Sequence, residues 1–287
     1  MIIRDATDAD IQSCNDVWVS TQSGLGDHPI PYQPLSAHEL ETGRLVVADD
    51  DGDVVGFGGT TTRSGVLYLV DLFVKPAEQS RGIGRQLMHA LCGDHRGPLF
   101  TFASSDVRAQ HLYEQYGMHA VEHYHYLDAR TETLAAWATD VELMVAERDE
   151  VLAIDAAITR RDRAADIDYA IELGARWYVA RRGQLEVGVV AVVIPMRSNP
   201  WHPRGARLGP VMAHDATDVA PILAAALTLI AGSTYEPDFV STFVPSGLAS
   251  LPALLAAGFE VIDTDLFMSS HPALIDRQRY LPTVDTP

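Results

Sequence analysis

The sequence predicts an α/β (α+β) protein built from two copies of one fold, each copy a mixed, mostly antiparallel twisted sheet flanked by helices. The chain has 287 residues, more than a single domain of about 100 to 200 residues normally uses. Arg44-Leu45-Val46-Val47-Ala48, followed by Val54-Val55-Gly56, returns at one constant offset as Arg176-Trp177-Tyr178-Val179-Ala180, followed by Leu185-Glu186-Val187-Gly188. Each stretch brackets a turn bearing Gly52 or Gly183, the pattern of a β-hairpin. Later landmarks keep their order: a strand at 68–74 is answered at 206–212, and a helix ending in Gly117-Met118 by one ending in Gly258-Phe259. Order preserved over such a length marks an internal repeat.

In the first copy, residues 2–5 read as a strand, and Thr7-Asp8-Ala9-Asp10 opens a helix with Thr7 as N-cap. Residues 23–36, rich in Gly and Pro, read as a loop. Strands are expected at 46–58 and 66–74, a helix at 82–92, a strand at 99–103, a helix at 107–116 and closing strands at 118–127. The second copy opens on a strand at 141–145 and carries a helix at 219–230 and a segment at 251–259 before Glu260-Val261-Ile262. The expected division is therefore a domain over 1–130, a linker over 131–140, a second domain over 141–272 and a tail over 273–287.

With 47% hydrophobic and 21% charged residues and no long polar tract, the composition is that of a globular protein. A formal net charge of −18 repels nucleic acid and anionic membranes at long range, and no basic patch offsets it, so neither is an expected partner. The charge serves solubility or draws in a cationic substrate; both readings stand. Cys14 and Cys92 fall in expected helices without ligand spacing, which argues against a disulfide framework or a cysteine zinc site. The start of the sequence lacks a basic stretch leading into an apolar one, and no segment reaches the roughly 18 apolar residues of a membrane span. A cytoplasmic protein is the expectation. His123 and His125 share one face of a strand but lack a carboxylate or cysteine at ligand spacing, and no metal is expected.

The chemistry concentrates in residues 69–88. A strand ends at Val74, Pro76 follows, and Gln79-Ser80-Arg81-Gly82-Ile83-Gly84 opens a helix. Such a junction aims free backbone N–H groups and the positive end of a helix dipole at one point, as a pyrophosphate requires. Gly82 and Gly84 remove side chains that would hold the phosphates away.

Gln79-x-x-Gly82-x-Gly84, preceded by Asp71-Leu72-Phe73-Val74, resembles the acetyl-CoA-binding motif of the GNAT acetyltransferase superfamily. Asp106 to Met118, with Ala109, Leu112, Tyr113 and Gly117 in their places, is similar to the segment forming the other wall of that family's cofactor cleft. Asp106 stands where the family usually has Asn, and Met118 where it usually has Phe. The resemblance implies an N-acetyltransferase that uses acetyl-CoA as cosubstrate. It assigns the backbone of Leu72, Phe73 and Val74 to the acetyl and pantetheine arm, and Gln79, Ser80, Arg81, Gly82, Ile83 and Gly84 to the pyrophosphate, with Asp106 beside the cofactor. Tyr113 takes the role of the acid that protonates the departing thiolate. Asp71 is the candidate base, in a run similar to that of spermidine/spermine acetyltransferases; a carboxylate paired for structural reasons is the other reading. His28, Tyr32 and His38 fall in the region that shapes the family's acceptor pocket, though each by itself reads as a surface residue.

The second copy lacks this equipment. Counted from Val211 as from Val74, Val219 and Pro221 fall at the two glycine positions, Pro221 has no N–H, and Asp215 and Asp218 would repel a pyrophosphate. Leu254 stands at the place of Tyr113. The expected activity is acetyl transfer to a primary amine of a small molecule or peptide from a single site. The alternative is a non-catalytic acyl-CoA-binding sensor or scaffold, motivated by the degenerate second copy and by Asp106.

Overall fold

Strand-turn-strand repeats organise both halves of the chain. The computed structural model describes residues 1–22, 34–135, 137–197 and 203–287, so His28 and Tyr32 lie outside the described residues. The chain divides into two units, Met1–Ala120 with Met268–Pro272, and Val121–Phe267 with Ala273–Pro287.

Unit 1 begins with β1 (Ile2–Asp5), α1 (Ile11–Thr21) and α2 (Pro34–Thr42). Thr7 caps a single 3-10 turn at Asp8–Asp10 rather than α1 itself. Asp10 returns the contact by accepting from Thr7 N at 2.8 Å, and Arg4 beside it holds the Asp10 carboxyl well below the usual carboxylate range. The loop expected over 23–36 gives way to helix at Pro34, because proline suits a helix start and Leu40, on the same helix, packs against the apolar cluster of α1.

There follow β2 (Gly43–Asp50), β3 (Asp53–Arg63), β4 (Val66–Val74), α3 (Ile83–Cys92), β5 (Leu99–Ala103) and α4 (Val107–Glu114). The strands pair in the order β1-β2-β3-β4-β5, antiparallel except for parallel β4–β5. Two tight turns set the hairpins, with Asp51 and Gly52, then Ser64 and Gly65, all at positive φ. Paired positive φ values match the twist of the flanking strands.

Helices cover both faces of this sheet. A Cβ on Gly58 would come 2.8 Å from Leu91 of α3, whereas one on Gly59 would come 1.9 Å from the Glu39 carboxylate of α2. Cys14 and Val17 of α1 pack with Phe57 on the α2 side. Both cysteines are free and buried, one in α1 and one in α3.

Unit 2 holds β6 (His119–Arg130, from Val121), β7 (Glu142–Val145), α5 (Arg148–Thr159), α6 (Ala164–Glu172), β8 (Ala175–Arg182), β9 (Leu185–Val193) and β10 (Ala206–Ala213). It continues with α7 (Val219–Ala231), β11 (Phe239–Pro245), α8 (Leu251–Ala256), β12 (Glu260–Ser269, to Phe267) and β13 (Tyr280–Leu281). Its strands run β12-β6-β11-β10-β9-β8-β7, with β13 paired to β10. The bulge in β2–β3 after Ala48 recurs in β8–β9 after Ala180, so the repeat reaches into backbone irregularities.

The strand expected to close the first copy behaves differently. It is β6, and its residues pair with β11 in unit 2, from Phe239↔Arg130 to Pro245↔Tyr124. In unit 1, Ser270 lies beside β5, its N–H donating to Leu99 O at 2.9 Å. Alternation identifies such strands but carries no information about their partners.

Candidate functional site

The site is built on a strand pair that parts. β4 and β5 pair at Leu67↔Leu99 and Tyr68↔Phe100, and Thr101 Oγ1 donates to Leu69 O at 2.9 Å. One residue later β4 bulges at Val70, since Asp71 faces Gly59 while Leu69 faces Thr60. A bulge bends the strand that carries it and increases its twist. Beyond it Leu72, Phe73 and Val74 keep one edge on β3, and among the described residues no strand pairs with their other edge. That edge offers main-chain donors and acceptors to an extended ligand arm.

At the end of β4 the chain turns into α3 through Ser80, at φ 65°, and Gly82, at φ 79°. Gly82 is the residue before the helix, and among the described residues no atom beyond its chain neighbours lies within 4 Å of where its Cβ would be. A Cβ on Gly84 would meet only Leu112, at 3.9 Å. The first intrahelical donor is Gln86, bonded to Gly82 O at 3.2 Å, which leaves the amides of Ile83, Gly84 and Arg85 at the positive end of the helix dipole.

Gln79 ties this turn to both walls. Its Nε2 donates to Val74 O at 3.2 Å, and its Oε1 accepts from Arg108 Nη2 at 3.1 Å. Arg108 also donates to Asp106 at 2.7 Å, and Asp106 caps α4 by accepting from Arg108 N at 2.9 Å. The Arg108 guanidinium holds the Asp106 carboxyl below its ordinary range, so its charge is compensated locally. Arg81 pairs with Glu78. The structure thus joins Val74, Gln79 and Asp106 by hydrogen bonds beside the Gly82–Gly84 turn, and Arg108, which sequence reasoning missed, is the link between Gln79 and Asp106.

Asp71 faces α1 and α2. Its cross-strand partner is Gly59, which points at Glu39, and Phe73 two residues on packs with the Cys14 cluster. The bulge places Leu72 on the opposite face from Asp71, as strict alternation predicts, but also reverses Leu69 relative to Asp71. Burial pushes the Cys14 thiol up to about 12, with the charges of Asp10, Glu39 and Asp71 adding to it. Glu39 is fully buried. A Gly58-Gly59 doublet inside a strand was the available sign that something approaches the backbone closely there. His38, expected at the surface, is buried instead, because α2 lays it against Thr42 and Arg63.

Tyr113 lies in α4, 7% exposed, and its carbonyl accepts from Met118 N at 3.3 Å. In unit 2, Leu254 O accepts from Phe259 N at 3.2 Å, and Gly117 and Gly258 share positive φ. The backbone therefore sets Leu254 at the place of Tyr113. His125 Nδ1 bonds Thr264 Oγ1 at 2.9 Å, and among the described residues no group of three or more His, Cys, Asp or Glu is placed to hold a metal ion.

Residues 41–117 match the model of the acetyltransferase (GNAT) domain. No curated protein gives a significant match. Among solved structures, a Pyrococcus horikoshii protein superimposes over 100% of this chain and 95% of its own at TM-score 0.76 and 19% identity. A GCN5-related N-acetyltransferase from Sphaerobacter thermophilus does so over 100% and 98%, at TM-score 0.63 and 16% identity. A tandem GNAT protein from the clavulanic acid biosynthesis pathway covers 93% of this chain and 97% of its own, at TM-score 0.64 and 17% identity. These likenesses show the fold. The matched domain, which spans Asp71, the glycine turn and Tyr113, is that of an acyltransferase.

Proposed function

We infer that this chain, with an acetyltransferase (GNAT) domain at residues 41–117, moves an acetyl group from acetyl-CoA to a primary amine of a small molecule or peptide. The observation that carries the reading is the parted edge of residues 72–74 leading into a glycine turn whose Gly82 faces open space at φ 79°. A side chain at Gly82 would project into that space, which suits the close approach of a pyrophosphate to bare backbone. Gln79, Ser80, Arg81, Gly82, Ile83 and Gly84 would hold the phosphates, Leu72, Phe73 and Val74 the pantetheine arm, and Asp106 would stand beside the cofactor through Arg108.

When bound, acetyl-CoA supplies an acyl group activated as a thioester. The chain's own part is to position the amine and move two protons. Asp71 accepts the proton that the ammonium must lose, directly or through water, so that the nitrogen can form its bond to carbon. Tyr113 gives its hydroxyl proton to the sulfur as the carbon–sulfur bond breaks, and the second proton shed by the nitrogen as the amide forms restores the tyrosine hydroxyl. Asp71 puts a carboxylate on that face of β4, which would favour a cationic acceptor.

The test is thiol release. Incubation with acetyl-CoA and a panel of primary amines is expected to yield CoA in proportion to added amine. Binding of acetyl-CoA with no amine-dependent release across a broad panel would favour the sensor over the enzyme.

A further inference from the structure

The counterpart of the cofactor cleft in unit 2 is filled by the chain itself. β10 and β11 pair in parallel only at Ala206↔Val240 and Arg207↔Ser241. β10 then bulges between Leu208 and Val211, as β4 does at Val70. Gly56 and Gly188 are equivalent in the repeat, and they pair with Val74 and Ala213. Residues 211–213 therefore correspond to residues 72–74, the edge left open in unit 1; the counterpart of Val74 is Ala213 rather than the Val211 that sequence spacing gave, and Asp218, not Val219, precedes the helix as Gly82 does. In unit 2 that edge is paired: Val211↔Leu281, Met212↔Tyr280, and Ala213 N donating to Arg279 O at 2.8 Å.

The filling segment is held along its length. Leu281 belongs to the unit's apolar core, and Tyr280, Thr283 and Thr286 are buried. Arg163, 1% exposed beside an equally buried Asp155, donates to Thr286 O at 2.6 Å and lies over the Tyr280 ring at 5.2 Å. Arg207 reaches Asp285 at 3.0 Å.

We propose that the cleft between β10 and β11 is a strand-binding site whose occupant is residues 278–287, entering as the short strand Tyr280–Leu281, so that unit 2 takes a peptide segment where unit 1 takes a cofactor arm. The mode is strand addition: main-chain hydrogen bonds to an open edge give affinity and side-chain pockets give selectivity. Only the naming of the counterpart rests on the proposed function; the pairing stands without it.

The experiment severs the segment after folding. A protease site placed between Pro272 and Ala273, both exposed, is cut, and the nicked protein is passed over a sizing column. The expected result is that the fragment stays bound, and that a labelled peptide of residues 273–287 replaces it at one equivalent per chain. The same peptide carrying Leu281→Pro loses a main-chain donor and a core side chain, and should bind at least about tenfold more weakly. Acetyl-CoA should not displace the peptide, and its own binding in the same sample reports on unit 1 separately. Loss of the fragment without rebinding, equal binding of the proline peptide, or displacement by acetyl-CoA would each overturn the proposal.

Discussion

Gly82 carries two demands at one residue, a left-handed backbone at φ 79° and empty space where a side chain would stand. Valine there must bear a strain of about 1–3 kcal/mol and sets its methyls in the cradle. Gly82→Val is expected to lower acetyl-CoA affinity by about 100-fold or more while the protein stays folded, as calorimetric titration beside a near-UV spectrum would register. Affinity unchanged in the folded variant would make the turn a turn and nothing else. Tyr113 predicts the opposite division. Phenylalanine keeps the buried ring, so stability and cofactor affinity should hold, whereas a positioned acid is worth roughly 10²–10⁴ in rate. Single-turnover kinetics with a good acceptor checks it, and an undiminished rate removes Tyr113 from the chemistry. Sequence spacing placed the glycine turn before α3 and Tyr113 within α4, because these positions are fixed by local backbone geometry. Glu39 and Arg108 were not readable, since nothing local marks a glutamate that meets Gly59 or an arginine that meets Gln79.

Among the elements, the hairpins were legible because turn residues and strand alternation are local signals. The parting of β4 from β5 was not: it depends on a bulge at Val70, and Leu69 to Val74 reads as an unbroken strand. Two-residue β13 gave no sequence signal at all, since its pairing to β10 is a long-range event. Its anchor supplies a stability prediction. Arg163→Met leaves the buried Asp155 charge without its guanidinium and releases the Thr286 carbonyl, at a cost of about 3–5 kcal/mol. Urea unfolding should show that loss, and Asp155→Leu combined with Arg163→Met should recover part of it, because removing both charges ends the desolvation penalty of that pair while Asp166 and Arg161 stay buried beside it. β12 supplies a pH dependence. Burial pushes the Asp265 carboxyl up to about 6, against a Tyr126 hydrogen bond that lowers it. A raised carboxyl binds its proton more tightly in the folded state, so its contribution is full below about pH 4 and is lost as pH rises through 6. Asp265→Asn should flatten that part of the stability profile by about 1–2 kcal/mol, allowing for water at its partly exposed side chain. A wild-type profile already flat between pH 4 and 6.5 would contradict it.

For the whole molecule the repeat raises one quantitative question, how many cofactors two copies of one fold hold. Lys75 to Gly82 separate β4 from α3, whereas only His214 to Asp218, three residues fewer, separate β10 from α7. The shorter connection has no glycine and lacks the room to swing backbone amides around a pyrophosphate. Asp218 at the start of α7 is engaged by Arg182 at 2.7 Å, the edge at residues 211–213 is paired to β13, and Leu254 holds the place of Tyr113. Each obstacle acts on a different part of the ligand, the pyrophosphate, the pantetheine arm and the thiolate, so lifting one would leave the others. Calorimetric titration is therefore expected to give one acetyl-CoA per chain. Gly82→Val sharpens the count, because a second site would survive that change and appear as residual binding near one equivalent. A wild-type stoichiometry near two that falls to one in the variant would show that unit 2 binds the cofactor after all.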